Sequence, residues 1–393
     1  MTVRIRQKRS LRAAVLMVAA LVALPVTTGA PALAAPPKDL VPVGQPAPTK
    51  AEGWSYRTSV IPAGVNGGAE LAVDSGRGEV VVTDADFLVK DRSQTEVVPD
   101  PHILTPKLSV LNAKTKKVAH TIDFTTLPLD EMNFKGARFP MLQIPFGLAL
   151  DTELGRAVTT NTHPNGVTIV DLDKRAASAS DMATTGKLDH PMGVTVDSRT
   201  HRAYVASTND DSVSVIDTRS RREVARIRGI YLPTMVDVDP ARNRLYVGNA
   251  DTKNYKNNFV AVVDTTTNRV IKKIAAPYNS RPTVDTSTGL VYAGSYNTGL
   301  ISVIDPDSLT VIDTIETGTT PVKVAIDAAR GLAYTPDLHR KSITVIDLRA
   351  RKAVLTVPTG IAIHSVAVDQ KSGTVFATQN QTPKLTVLNV TRS

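Results

Sequence analysis

Cysteine is absent from this chain, tryptophan occurs once, and aromatic side chains make up only 4% of its 393 residues. Without cysteine there is no disulfide framework and no lipidated cysteine anchor, so the fold must hold through its packed interior alone. Beyond residue 26 no stretch approaches the ~20 apolar residues that a membrane-spanning helix needs, so no membrane span is expected in the mature protein. The sequence also lacks a Gly-rich phosphate cradle, a nucleophile elbow, a Cys/His metal set and any H-x-x-x-H spacing. Nothing local therefore points to phosphoryl transfer, acyl transfer or metal chemistry, and neither an enzyme nor a cofactor or metal is expected.

What is present begins with Arg4, Arg6, Lys8, Arg9 and Arg12, with no acid among them, followed by the apolar run Ala13 to Val26 and the small residues Ala32 to Ala34. That order is a secretory signal over residues 1–34, cleaved near Ala34, and it predicts a secreted protein, extracellular or periplasmic. Cleavage takes five from the 46 basic residues and none from the 37 acidic ones, so the net charge falls from +9 to about +4. Residues 35–53 are rich in Pro, Ala and Lys without alternation and are expected to form a flexible leader.

Residues 54–393 repeat. An apolar residue followed by Asp ends a strand at Asp74, Asp151, Asp197, Asp239, Asp285, Asp327 and Asp369. A V-x-V-I-D strand ends at Asn112, Asp171, Asp217, Asp264, Asp305, Asp347 and Asn389. In five copies the two marks lie 20 residues apart, and beyond the second copy the first marks recur every 42 to 46 residues. Each unit reads as four short strands rich in β-branched residues, which is a propeller blade. A lone blade cannot bury both faces, so seven must stack, and the expected fold class is all-β, a seven-bladed β-propeller. The last unit ends one strand short, and Tyr56 to Ile61 can supply it from the N-terminal side, closing the ring.

The blade pattern resembles the YVTN-family, YncE-like seven-bladed β-propellers of exported bacterial type over nearly all of residues 54–393. It is seen in Met192-Gly193-Val194-Thr195-Val196-Asp197 with Ala203-Tyr204-Val205-Ala206-Ser207, and in Pro321-Val322-Lys323-Val324-Ala325-Ile326-Asp327 with Leu332-Ala333-Tyr334-Thr335. The resemblance implies exported propellers that bind diverse partners, DNA among them; its motif residues are blade-interior positions and do not fix function.

Function is sought in the loops. The first blade carries about 18 extra residues around Asp86 to Pro106, the fourth a longer loop at Asp251 to Asn258, and the link to the second about 17 around Phe124 to Pro145. All three fall on one face, called upper here, where links reach the inner strands and second strands turn to third. The candidate ligand-binding residues there are Asp84, Asp86, His163, His190, Asn209, Arg281, Tyr296, Asp337, His339 and His364, with His102 nearby; His190, Arg281 and His364 are expected to approach the central channel. The repeated strand-end aspartates are assigned to turn chemistry instead.

On the opposite face the turn between third and fourth strands is basic in five blades. Lys116, Lys117, Lys174, Arg175, Arg221, Arg222, Arg269, Lys272, Arg351 and Lys352 form an alternative surface for DNA or an anionic envelope polymer, read through phosphates rather than bases. The preferred expectation is a non-enzymatic binding or scaffold module, a monomer, whose partner is a protein, a glycan or a small molecule. The alternatives are polyanion binding by the basic turns and a lactonase-like hydrolase at the channel mouth.

Overall fold

The computed structural model describes residues 44–84, 105–128, 143–162, 165–251, 257–295, 297–321, 323–380 and 382–392, and the backbone alone at 130–134 and 137–141. The described strands form seven antiparallel blades in a ring. Their inner strands are Gly68–Asp74, Gly147–Asp151, Pro191–Asp197, Pro233–Asp239, Ser280–Val284, Ala325–Asp327 and Ile363–Val368. Each blade then steps outward in chain order. In the second blade the place of the outer strand is taken by a bridge, Thr168 to Met182, and by Ala183 N donating to Val167 O at 2.8 Å.

The seventh blade is completed from the other end of the chain. Trp54–Pro62 pairs antiparallel with Lys384–Arg392 from Trp54↔Arg392 to Pro62↔Lys384, slightly longer than the strand read from sequence. Trp54 packs against the interior between the sixth and seventh blades, and the Arg392 guanidinium lies 5.1 Å from its ring centre, a cation–π contact that pins the end of the seam. The expected leader, 35–53, enters the described residues at Gly44. Its end runs along the outer strand of the sixth blade, where Thr356 N donates to Pro48 O at 2.9 Å.

Among the described residues there is no single core. The buried apolar residues form seven clusters, and every one lies between two neighbouring blades: Val81, Leu108 and Ile122 meet Leu148 and Val170, for example, and Phe376 and Val387 meet Leu71 and Val80. Tyr204, Tyr246, Tyr292 and Tyr334 hold one position of the second strand in four successive blades and are fully buried against the next blade. The hydroxyls of Tyr246 and Tyr334 make no hydrogen bond among the described residues. Burial pushes Tyr246 up to about 12 and Tyr334 higher still.

The turn aspartates behave as expected. Asp74 Oδ1 accepts from Arg77 N at 3.0 Å, Asp239 Oδ1 from Ala241 N at 3.0 Å, and Asp285 Oδ1 from Ser287 N at 3.0 Å. The inner strands also carry a recurrent irregularity: the register with the second strand shifts between Gly68 and Leu71, Pro191 and Val194, Pro233 and Met235, and Ile363 and Ser365. Such bulges re-aim side chains.

Two measurements check this account. Tyr334→Phe deletes only an unsatisfied buried hydroxyl and should leave the thermal midpoint equal or higher, whereas Tyr334→Ala should cost about 3–5 kcal/mol in chemical denaturation. Deleting residues up to Pro62 should leave Lys384–Arg392 as an open edge, read as concentration-dependent aggregation in light scattering that the full chain does not show.

Candidate functional site

The candidate site lies at the upper mouth of the central channel, where four consecutive blades present polar side chains from the beginnings of their inner strands. Glu70, third residue of its inner strand, sits within the bulge of the first blade. Its Oε2 accepts from Lys323 Nζ at 2.8 Å and from Ser365 Oγ at 2.8 Å, and Lys323 Nζ also reaches Ser365 Oγ at 3.2 Å. His364 is the extra residue of the bulge between Ile363 and Ser365, which is why two consecutive side chains both turn towards Glu70; its Nε2 is 3.9 Å from Glu70 Oε1.

Electrostatics ties the group together. Burial works against the Glu70 charge, but Lys323, His364 and the Ser365 hydroxyl outweigh it and hold the carboxyl below the usual carboxylate range. Burial lowers the His364 ring, Arg281 and Lys323 lower it further, and Glu70 opposes them, so the ring is neutral at pH 7. Two residues deeper along the fourth inner strand lies Asp237. Its Oδ1 accepts from Thr195 Oγ1 and Val238 N, both at 3.0 Å, and its Oδ2 from Val284 N at 2.8 Å, joining three blades. Burial raises the Asp237 pKa in spite of these bonds and of Lys323.

Of the residues singled out by sequence, the structure brings Arg281 and His364 together here. The others among the described residues are placed differently. Asp84 and Asp337 are buried caps: Asp84 accepts from Asn66 N at 3.0 Å and Gly67 N at 3.1 Å, and Asp337 from Thr320 Oγ1, His339 N and Arg340 N. The same position, the end of the second strand, holds Asn161, Ser207, Asn249, Ser295 and Gln379 in the other blades, all buried and polar, so its function is to fasten the loop beside it. His190 is buried, with a left-handed backbone and its amide donating to Asn165 Oδ1 at 2.9 Å. Asn209 is exposed and bound to Asp189 Oδ1 at 3.1 Å, and His339 is exposed. Asp86, His102, His163 and Tyr296 lie outside the described residues, as do most of the first and fourth inserted loops; the insertion before the second blade contains a hairpin, Asp130–Phe134 with Ala137–Met141.

Sequence reasoning missed Glu70, Lys323, Ser365, Thr195 and Asp237. The signal was a column of the repeat. Four residues before each first-mark Asp stand Glu70, Gly147, Gly193, Met235, Arg281, Lys323 and Ser365, so charge enters that column in three blades only. The remaining histidines are structural ties: His201 Nδ1 lies 3.0 Å from Asp151 Oδ2 between the second and third blades, and His120 Nε2 lies 2.6 Å from Leu172 O.

The basic turns are partly neutralised within the fold. Lys174 Nζ contacts both oxygens of buried Asp181 at 2.6 and 2.8 Å, Arg221 reaches the same carboxylate at 3.2 Å, and Arg351 pairs with Asp313 at 3.2 Å. Lys117, Arg175, Arg222, Arg269, Lys272 and Lys352 are exposed, and Lys116 is half-buried. Lys116, Arg221 and Arg351 share a left-handed turn position with Asn268 and Leu309, so the turn requires a conformation and not a charge.

No family model matches the chain, and no curated protein does. Among solved structures the fold is shared by Kuenenia stuttgartiensis hydrazine synthase, with a TM-score of 0.56 and 16% identity, covering 85% of this chain and 97% of that one. At that identity the likeness defines the class, a seven-bladed β-propeller, and nothing finer. No helix among the described residues is long and apolar enough to cross a membrane, and no group of three or more His, Cys, Asp or Glu among them could hold a metal ion.

The linkage of Glu70 gives a signed test. A carboxyl whose folded pKa lies below its unfolded value contributes stability that is present above the unfolded pKa, near ~4.3, and is lost as pH falls through the lower folded value. Glu70→Gln should therefore lose about 1.5–3 kcal/mol at pH 7, and thermal midpoints of the two proteins should converge as the pH is taken below about 4.

Proposed function

We propose that this chain is a non-catalytic binding module that receives its ligand at the upper mouth of the propeller channel. The observation that carries the reading is the convergence of Glu70, Arg281, Lys323, His364 and Ser365 from four adjacent blades, where the repeat elsewhere offers Gly or Met. A loose scaffold has no need of such a group. Catalysis is less well served: Glu70 is held as an ion by Lys323 and Ser365, which removes it as an acid at neutral pH and weakens it as a base, and the Ser365 hydroxyl beside it is spent on that same ion-paired carboxylate. The ion pairs of Lys174 and Arg221 with buried Asp181, and of Arg351 with half-exposed Asp313, favour the channel over the polyanion surface.

The blade pattern supports an exported propeller of the YVTN type, and the basic and apolar N-terminal segment supports secretion. The test is a thermal-shift screen of small molecules and glycans on the wild-type protein and on Lys323→Met and Arg269→Gln. A ligand that raises the midpoint of the wild type and of Arg269→Gln, but not of Lys323→Met, is the expected result. Salt-sensitive binding of duplex DNA that is lost on neutralising Lys117, Arg175, Arg222, Arg269 and Lys352 would move the function to the opposite face. Lactone hydrolysis abolished by Glu70→Gln would replace the binding reading by an enzymatic one.

A further inference from the structure

The outer strands of the blades do not leave their free edges equally open. In the third blade a passing segment covers the edge: Thr184 N donates to Arg221 O at 2.8 Å, Glu223 N to Thr184 O at 2.9 Å, and Gly186 N to Glu223 Oε2 at 2.6 Å. The edge of the first blade is met at Asp123 by Ala176, and that of the sixth at Thr356 by Pro48. Among the described residues nothing pairs with the free edge of Arg269–Ala275 in the fourth blade or of Thr310–Glu316 in the fifth, and these are the two neighbouring blades left without a backbone partner along the whole edge. An open edge is a template for a further strand.

The two edges are alike in shape and opposite in charge. Each strand is bulged: Val270 and Lys272 face the consecutive residues Val263 and Val262, and Val311 and Asp313 face Ile304 and Val303. The extra residues, Ile271 and Ile312, are each 44% exposed, and with Val311 they are three of the six large apolar side chains left exposed among the described residues. Single exposed apolar residues are ordinary on a rim, and bulges and lysines on an edge usually prevent pairing, so charge has to decide. Arg269, Lys272 and Lys273 stand on one edge, Asp313 and Glu316 on the other. Arg269, Lys272 and Glu316 are exposed and make no hydrogen bond or ion pair among the described residues. Asp313 is 40% exposed and meets Arg351 at 3.2 Å through Oδ2.

We propose that a second copy of this chain docks here, the fourth blade of each protomer against the fifth blade of the other, about a two-fold axis that points out of the rim between them. Outer strands run from the lower to the upper face, and such an axis reverses that direction, so the edges meet antiparallel. Centred antiparallel pairing of Arg269–Ala275 with Thr310–Glu316 sets Lys272 opposite Asp313 and Arg269 opposite Glu316 in the same register. Two fourth-blade edges would instead set Lys272 against Lys272, and two fifth-blade edges Asp313 against Asp313, and like charges directly opposite destabilise a strand pair. One edge of seven residues is small beside the ~1,600 Å² of a standard interface. The two-fold axis uses both edges at once and closes the assembly as a dimer, where a single edge would propagate a filament. Both upper mouths stay free and open on opposite sides, whatever the channel binds.

The experiment is sedimentation velocity of the full chain over a concentration series, alongside Arg269→Glu, Glu316→Lys and the two combined. Both side chains are exposed and unpartnered among the described residues, so the thermal midpoint at a dilution that keeps every variant monomeric should not move. The expected result is a reversible dimer with a Kd on the order of 10 μM, as befits a small interface, weakened by added salt. Each single reversal sets like charges opposite at two places per dimer and should raise the Kd about tenfold or more. The combined variant should return to within about threefold of the wild type, because opposite charges face each other again.

A monomer at every concentration up to about 500 μM overturns the proposal. A dimer that neither reversal weakens overturns it equally. Reversals that weaken the dimer singly, without rescue when combined, overturn the register. The other occupant is the chain's own leader, which passes beside this edge: a Cβ on Gly44 would come within 2.9 Å of Glu316 Cβ. A chain that is monomeric when complete and forms a dimer only when residues 1–43 are deleted assigns the edge to the leader and overturns the second copy.

Discussion

The structure depends on one constraint: each blade has two apolar faces and can cover neither alone. A four-stranded sheet of this size gains its stability only when a neighbour lies against each face, and seven inter-blade clusters satisfy that condition with no blade left over. Closure is therefore a requirement of the interior and not an ornament of the rim. The ladder from Trp54↔Arg392 to Pro62↔Lys384 makes it with backbone hydrogen bonds, which suits a chain that has no cysteine for a covalent clasp.

Closing the ring creates the channel and sets its chemistry. Every inner strand turns a free edge towards the axis, and its backbone groups must find partners there. Side chains of neighbouring blades supply several: Thr160 Oγ1 donates to Met192 O at 2.7 Å, Thr208 to Pro233 O at 2.7 Å, Thr283 to Val324 O at 3.1 Å and Thr378 to Ala69 O at 2.8 Å. Asp237 serves the amide of Val284 in the same way. Polar residues around a propeller axis are thus expected on structural grounds alone. What sets the mouth apart is that its charges repeat in only some of the blades, whereas the fastening positions, such as the polar end of the second strand, are polar in all seven.

That distinction explains what could be read from the sequence. Blade number, inner-strand ends, turn aspartates and the closing strand were legible because each is a periodic demand made seven times, and repetition averages out local ambiguity. Asp84 and Asp337 looked like ligand residues because each was read singly; aligned with Asn161, Ser207, Asn249, Ser295 and Gln379 they become members of a structural column. Arg281 and His364 were found from their place near the inner strands. Glu70 and Lys323 were not, because their partnership spans 253 positions and passes across the seventh blade, a geometry that only the closed ring creates. The bulge that presents His364 and Ser365 together has no composition signal of its own.

Glu70 and Lys323 also occupy a particular place in that ring. Glu70 belongs to the first blade, Lys323 precedes the inner strand of the sixth, and Ser365 between them belongs to the seventh, the blade assembled from both ends of the chain. The pair therefore bridges the seam near the axis while the Trp54–Pro62 ladder closes it at the rim. A buried ion pair is a poor source of net stability, since desolvation offsets most of its attraction, and an apolar pair in its place would close the seam at least as firmly. Charge retained at such a position has a physical rationale beyond closure, because Glu70, Lys323 and Ser365 tie three blades together at one point with a specific geometry that an apolar pair does not impose.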